Sequence, residues 1–119
     1  MAYVDGFVLP VPKRNFDAYR RIARKAGRIW REHGALAYVE CMADDVKPGK
    51  RTSFPRSVKL KPGEAVWFSW IVYKSRRHRD SVLKKVMSDK RLKPMMNPQA
   101  MPFDAKRMFW GGFKVMVDL

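Results

Sequence analysis

Apolar residues run together in four short stretches of the chain and recur at helical spacing in two others, and that pattern lays out its elements. Tyr3 to Val11 is rich in Val, Phe and Leu and ends in Pro10-Val11-Pro12, where proline removes backbone donors and stops sheet pairing, which predicts a first strand. Asn15 stands in an N-cap position. After it Phe16, Tyr19, Ile22, Ala23, Ala26, Ile29 and Trp30 fall on one helical face, and Gly34 sits where such a helix stops. The opposite face carries Arg20, Arg21, Arg24, Lys25, Arg28 and Arg31. Ala35 to Met42 predicts a second strand.

A long polar connection follows from Ala43 to Glu64, with Pro-Gly turns at Pro48-Gly49 and Pro62-Gly63 and one helical turn expected around Phe54 and Val58. A loop of this length in a small domain usually serves function or oligomer contacts. Ala65 to Tyr73 predicts a third, strongly aromatic strand. Ser75 can cap a second helix that buries Val82, Leu83, Val86 and Met87 and runs to about Asp89 or Leu92. Pro94 to Pro102 has no period and reads as irregular surface chain. Lys106 to Val117 predicts a fourth strand interrupted by Gly111-Gly112, which implies a large neighbour over the glycines.

The order β-α-β-β-α-β is the α+β, ferredoxin-like arrangement, a four-stranded antiparallel sheet with two helices on one face, in a single domain over residues 1–119. Strands with one wet face alternate apolar and polar residues. Here Val66, Phe68, Trp70 and Val72 lie on one side of the third strand, and Trp67, Ile71 and Tyr73 on the other. The fourth strand repeats this, with Phe109, Phe113, Val115 and Val117 against Met108, Trp110 and Met116. Two helices cover one face only, so the pattern predicts that a second copy of the sheet covers the other, giving a two-fold dimeric α/β barrel.

Charge adds a second feature. Lys and Arg number 26 against 11 Asp and Glu, a formal charge of +15 and a pI near 10.5. Single Cys41 can form no intrachain disulfide, and no CxxC spacing is present for zinc or an iron–sulfur cluster, which fits a reducing compartment. The first residues have no basic n-region and are broken by Asp5 and two prolines, so they do not read as a secretory signal and the mature chain is expected to start here. The apolar run Ala65–Tyr73 is far shorter than the ~20 residues of a membrane-crossing helix. The expectation is a cytoplasmic protein with no membrane partner.

At YVDGFVLPVP, the VEC-plus-Asp44-Asp45 segment, FSWIVY, Arg79-Asp80 with SDKRL, and MMNPQAMPFDAKRMFWGGF, the chain resembles the YbaA-like family of small bacterial proteins. The resemblance spans nearly the whole chain. It implies the dimeric α/β-barrel variant of the ferredoxin-like fold and supplies no catalytic residues, since the family has no agreed activity. The family as known is less basic, so the resemblance does not account for the charge.

Candidate chemistry rests on polar residues set among apolar strand positions, namely Asp5, Glu40, Cys41 and Ser69, with Asp104, Lys106 and Arg107 before the last strand. A carboxylate in an apolar strand must be paired, hydrogen-bonded or protonated. Asp5 and Glu40 are therefore the candidate acid or base of a pocket, with Trp70, Asp104, Lys106 and Arg107 as candidate ligand-binding residues. The structural alternative is that the two carboxylates pair with Lys106, Arg107 or loop amides and fix the fold. Asp44, Asp45 and Asp104 have no recognised metal-loop spacing, His33 and His78 lack partners at ligand spacing, and no Gly-rich phosphate loop opens a helix, so neither metal nor cofactor is expected. Three functions stay open: binding or transforming a small organic molecule, non-specific nucleic-acid (RNA or DNA) binding through the basic helix faces, or a dimeric interaction module.

Overall fold

The computed structural model describes residues 2–119. It has four strands, β1 (Tyr3–Pro12), β2 (Ala37–Met42), β3 (Glu64–Tyr73) and β4 (Phe109–Lys114), and three helices, α1 (Phe16–Glu32), α2 (Phe54–Ser57) and α3 (Arg76–Met87). The sheet is antiparallel throughout in the order β2-β3-β1-β4. That is the ferredoxin-like order, with α1 and α3 on one face.

Side chains explain where the elements begin and end. Ser75 caps α3 by accepting from the His78 N–H at 3.0 Å, and Ser53 caps the single turn α2 by accepting from Arg56 at 3.1 Å. Asn15 precedes α1 but does not cap it. A 3₁₀ turn over Lys13–Asn15 leads into the helix instead, and the Asn15 amide donates to the Pro102 carbonyl at 2.9 Å, tying a distant loop to the helix start. The helix α3 ends at Met87, short of the expected Asp89 or Leu92, because Ser88 caps it and the chain turns to bury Leu92.

The fourth strand is half the expected length. Asp104 accepts from the Lys106 N–H at 3.1 Å and winds Ala105–Arg107 into a 3₁₀ turn, so pairing starts only at Phe109. It stops at Lys114 because β1 runs out there, at the pair Tyr3–Lys114. The prolines of β1 do not end that strand. Pairing with β3 continues through Pro10–Val66 and Pro12–Glu64, whereas pairing with β4 ends at Val8–Phe109, so both prolines stand where one side of β1 is unpaired. The neighbour expected over the strand glycines is present at Gly112. A Cβ there would overlap the Tyr3 ring and hydroxyl and come within 2.7 Å of Arg79 Nη2.

The core lies between sheet and helices. Tyr3, Ile71 and Tyr73 pack under Ile29, Trp30, Val82 and Val86, and Leu9, Val11 and Trp67 pack under Tyr19 and Ala23. The other face carries no long helix. The connection after β2 covers one end of it, burying Val8 and Val66 under Val58. Phe68, Phe109 and Phe113 on the remainder are 41%, 47% and 64% exposed. The molecule measures 38 × 36 × 20 Å, and its short dimension is about that of one sheet plus one helix layer.

Candidate functional site

Glu40 lies on the edge strand β2, two residues after Tyr38, so the pleat turns both side chains toward α1. The Tyr19 hydroxyl, from the second turn of α1, lies 3.0 Å from each oxygen of the Glu40 carboxylate, and the Tyr38 hydroxyl donates to Oε1 at 3.1 Å. The helix approaches this closely because of Gly27. A Cβ there would stand 2.6 Å from the Tyr38 ring, so only glycine lets the ring pack this close to α1. Burial pushes the Glu40 carboxyl above its ordinary value, and the two phenols, which favour the charged form, offset only part of that. Burial, followed by the charge of Glu40, pushes Tyr19 and Tyr38 well above the usual phenol range, so both stay donors at neutral pH.

Beside this triad is a cavity of about 130 Å³ between α1, the sheet and the loop that follows α3. Phe7, Leu9 and Ile71 form its floor, Ile22, Ala26 and Trp30 its helical wall, and Met95, Met101 and Phe103 its loop side. Glu40 is the one ionisable carboxyl on the wall. Glu40, Tyr38 and Ala23 also border an open groove of about 820 Å³ between α1 and β2, whose helical side carries Arg20, Arg24, Arg28 and Arg31. Cavity and groove thus share Ala23, Tyr38 and Glu40 in their linings.

The other candidate residues are distributed elsewhere. Asp5 shares the helix-covered face but sits under α3, 1% exposed, with Arg79 Nε 3.6 Å from Oδ1. Arg79 in turn donates to the Tyr3 hydroxyl at 3.1 Å, and Trp30 donates to the Tyr73 hydroxyl at 3.0 Å. Burial pushes Asp5 up, with Arg79 and the Tyr73 hydroxyl opposing it. Neither Asp5 nor Glu40 pairs with Lys106 or Arg107. Arg107 is instead committed to Glu64, with Nη1 and Nη2 at 2.8 and 2.6 Å from its two oxygens, and to Asp104 at 3.1 Å. The Arg107 guanidinium holds the carboxyls of Glu64 and Asp104 below their ordinary values. Lys106 is exposed. Trp70 lies on the open face of the sheet beside Phe68, with ring centroids 5.7 Å apart. Cys41 lies among Phe54, Phe68 and Val66, away from Glu40.

Of the expected site residues, the structure brings Glu40 and Ser69 together with the stretch from Met95 to Phe103. Sequence reasoning placed Tyr19 in the core without a polar role and did not single out Tyr38 or Gly27. The spacing Tyr38-x-Glu40 is itself a readable signal, because positions two apart on a strand share a face. The contribution of Tyr19 needs the packing of α1 on β2. Among the described residues no group of three or more His, Cys, Asp and Glu side chains gathers to hold a metal ion. No described helix is long and apolar enough to cross a membrane.

The chain is 50% identical over 118 residues to the uncharacterized protein YbaA of Escherichia coli and, equally, to that of Shigella flexneri, a match that covers 99% of this chain and 99% of each relative. Among solved structures it is similar to the de novo designed protein Foldit4, with a TM-score of 0.45 and 9% identity over 99% of this chain and 100% of that one. The family described as protein of unknown function (DUF1428) matches residues 2–105, which include Tyr19, Gly27, Tyr38, Glu40 and the cavity loop to Phe103, and the chain belongs to that family.

Proposed function

We propose that this protein binds a ring-sized organic molecule between α1 and the sheet, with a polar group of the ligand hydrogen-bonded at Glu40. The observation that carries the reading is an apolar cavity of about 130 Å³ whose wall contains one carboxyl held by two phenols. A cavity of about 150 Å³ with apolar walls is large enough for benzene. Such pockets, mostly apolar with a few convergent polar groups, are the usual form of small-molecule sites. A Glu40 carboxyl that keeps its proton to higher pH can donate to a ligand oxygen, and the same group can take or give a proton at the bound molecule.

Thermal shift with a panel of phenols, aryl alcohols and aryl carboxylates tests this. At ~100-fold excess over Kd a ligand adds ~2.7 kcal/mol, a rise of about 10 °C in a domain of this size. Ala26→Leu fills the cavity from the helix side and should remove the shift while the circular dichroism stays native. A shift that survives in folded Ala26→Leu places the ligand elsewhere and ends the reading.

We further propose that a second copy of the chain covers the open sheet face. Its exposed rings surround a surface formed by Val4, Gly6, Val8, Trp70, Val72 and Gly111, whose lining has Asp118 as its one charged residue and no Lys or Arg, in a chain that carries +15. Two such copies meet with least repulsion, and most apolar burial, through this face, whose lining holds no Lys or Arg.

A further inference from the structure

The groove that meets the cavity at Glu40 is lined by cations that the fold leaves unused. Arg31 is committed to the carbonyls of Ala35 and Leu36, and Glu32, the carboxylate on that rim, is bound to Arg91 at 2.6 Å. Arg20 has only a loose approach to Asp17, at 3.9 Å. Arg24 and Arg28 are exposed and have no carboxylate within ion-pair distance among the described residues. Four residues of helix rise about 6 Å, so Arg20, Arg24 and Arg28 present three guanidinium forks along one wall at that spacing. The opposite wall is β2, with Tyr38 and Glu40, the residues that also close the cavity.

Building on the cavity reading, we infer that the ligand is an amphipathic anion: a ring seated in the apolar cavity and a carboxylate or phosphate on a short chain that passes Tyr38 and Glu40 to reach Arg24 and Arg28. The phenol protons go to Glu40, so at the waist of such a molecule the triad offers the two phenol oxygens as acceptors and the carboxyl proton as donor, and guanidinium forks bind planar oxyanions in bidentate fashion.

Titration calorimetry of phenylbutyrate and its uncharged counterpart phenylbutanol, near physiological ionic strength, tests the inference. The carboxylate should bind about tenfold tighter than the alcohol, a difference of about 1.4 kcal/mol. Arg24→Gln with Arg28→Gln should erase that preference and leave the affinity for the alcohol unchanged. Lys84→Gln with Lys85→Gln removes the same charge from exposed positions of α3 that border neither cavity nor groove, and should leave the preference intact. Equal binding of acid and alcohol by the unaltered protein overturns the anion inference alone. So does an equal loss of preference in the lysine pair, which would assign the effect to the overall positive field. Failure of both probes to bind overturns the cavity reading and this inference with it.

Discussion

Glu40 shows how one residue type acquires chemistry from its surroundings. A carboxyl on an edge strand would ordinarily be solvated, but Tyr19 and Tyr38 close over it and the helix removes water from one side. Its value is raised in the folded protein above the ordinary 4.5, so the native state holds more protons than the unfolded chain between the two values. Stability from this group is therefore present below the ordinary value and is lost as pH rises through the raised one. Glu40→Gln, which cannot ionise, should flatten that part of the stability–pH curve, as read from urea midpoints at a series of pH values. A curve of unchanged slope in the variant would show that Glu40 is ionised and solvated in the native state. Glu64 has the opposite sign. Arg107 lowers its value, so its contribution is lost as pH falls, and Arg107→Ala should cost about 2–4 kcal/mol by leaving a mostly buried carboxylate with the Lys61 N–H but no ion-pair partner.

Among the elements, β4 and α1 depend on glycine for different reasons. Gly112 gives up its side chain to the Tyr3 ring and to Arg79, whose guanidinium bonds the Tyr3 hydroxyl and faces Asp5. Gly111, its neighbour, faces the open side, where the nearest atom to an added Cβ is 3.7 Å away on Phe113. Gly112→Ala should destabilise by about 2 kcal/mol through overpacking, while Gly111→Ala should be neutral within about 0.5 kcal/mol in chemical denaturation. Equal costs at both positions would mean that backbone entropy, not the packed ring, decides. In α1, Gly27→Ala gains about 1 kcal/mol of helix propensity but pushes the Tyr38 ring off the helix, so the ligand-induced thermal shift should fall even where the helix is retained.

At the scale of the molecule, two surfaces of opposite character lie on opposite sides of the slab, a basic one on the helices and an apolar one on the sheet. The exposed phenylalanines predict association through the sheet: light scattering should give a dimer at micromolar concentration, and Phe113→Asp, a substitution at a 64% exposed position, should give a folded monomer. A monomer before substitution, or a Phe113→Asp dimer, would leave that face without a second copy. The basic side predicts attraction of RNA and DNA by counterion release, indiscriminate in sequence and abolished between low and physiological salt. Retention of one sequence at physiological salt would indicate recognition beyond the field.

The residue pattern determined the α+β class, the order of the elements and the presence of one uncovered apolar sheet face, because a period of two or of 3.6 is a local property that the chain carries in any environment. It also marked Glu40 as a polar residue among apolar strand positions, but the companions it assigned, Asp5, Trp70, Asp104, Lys106 and Arg107, do not line the cavity that Glu40 borders. Other matters were decided only by the folded molecule, since each joins residues far apart in sequence: the partnership of Glu40 with Tyr19, the diversion of Asp5 to Arg79, the capture of Arg107 by Glu64, and the loss of Asn15 as a cap to a bond with Pro102. Charge type and strand phase say that such a carboxylate needs a partner. Which partner it finds depends on how α1 and α3 lie across the sheet, and that is fixed by the packing of whole side-chain layers, with Gly27 and Gly112 cut to fit them.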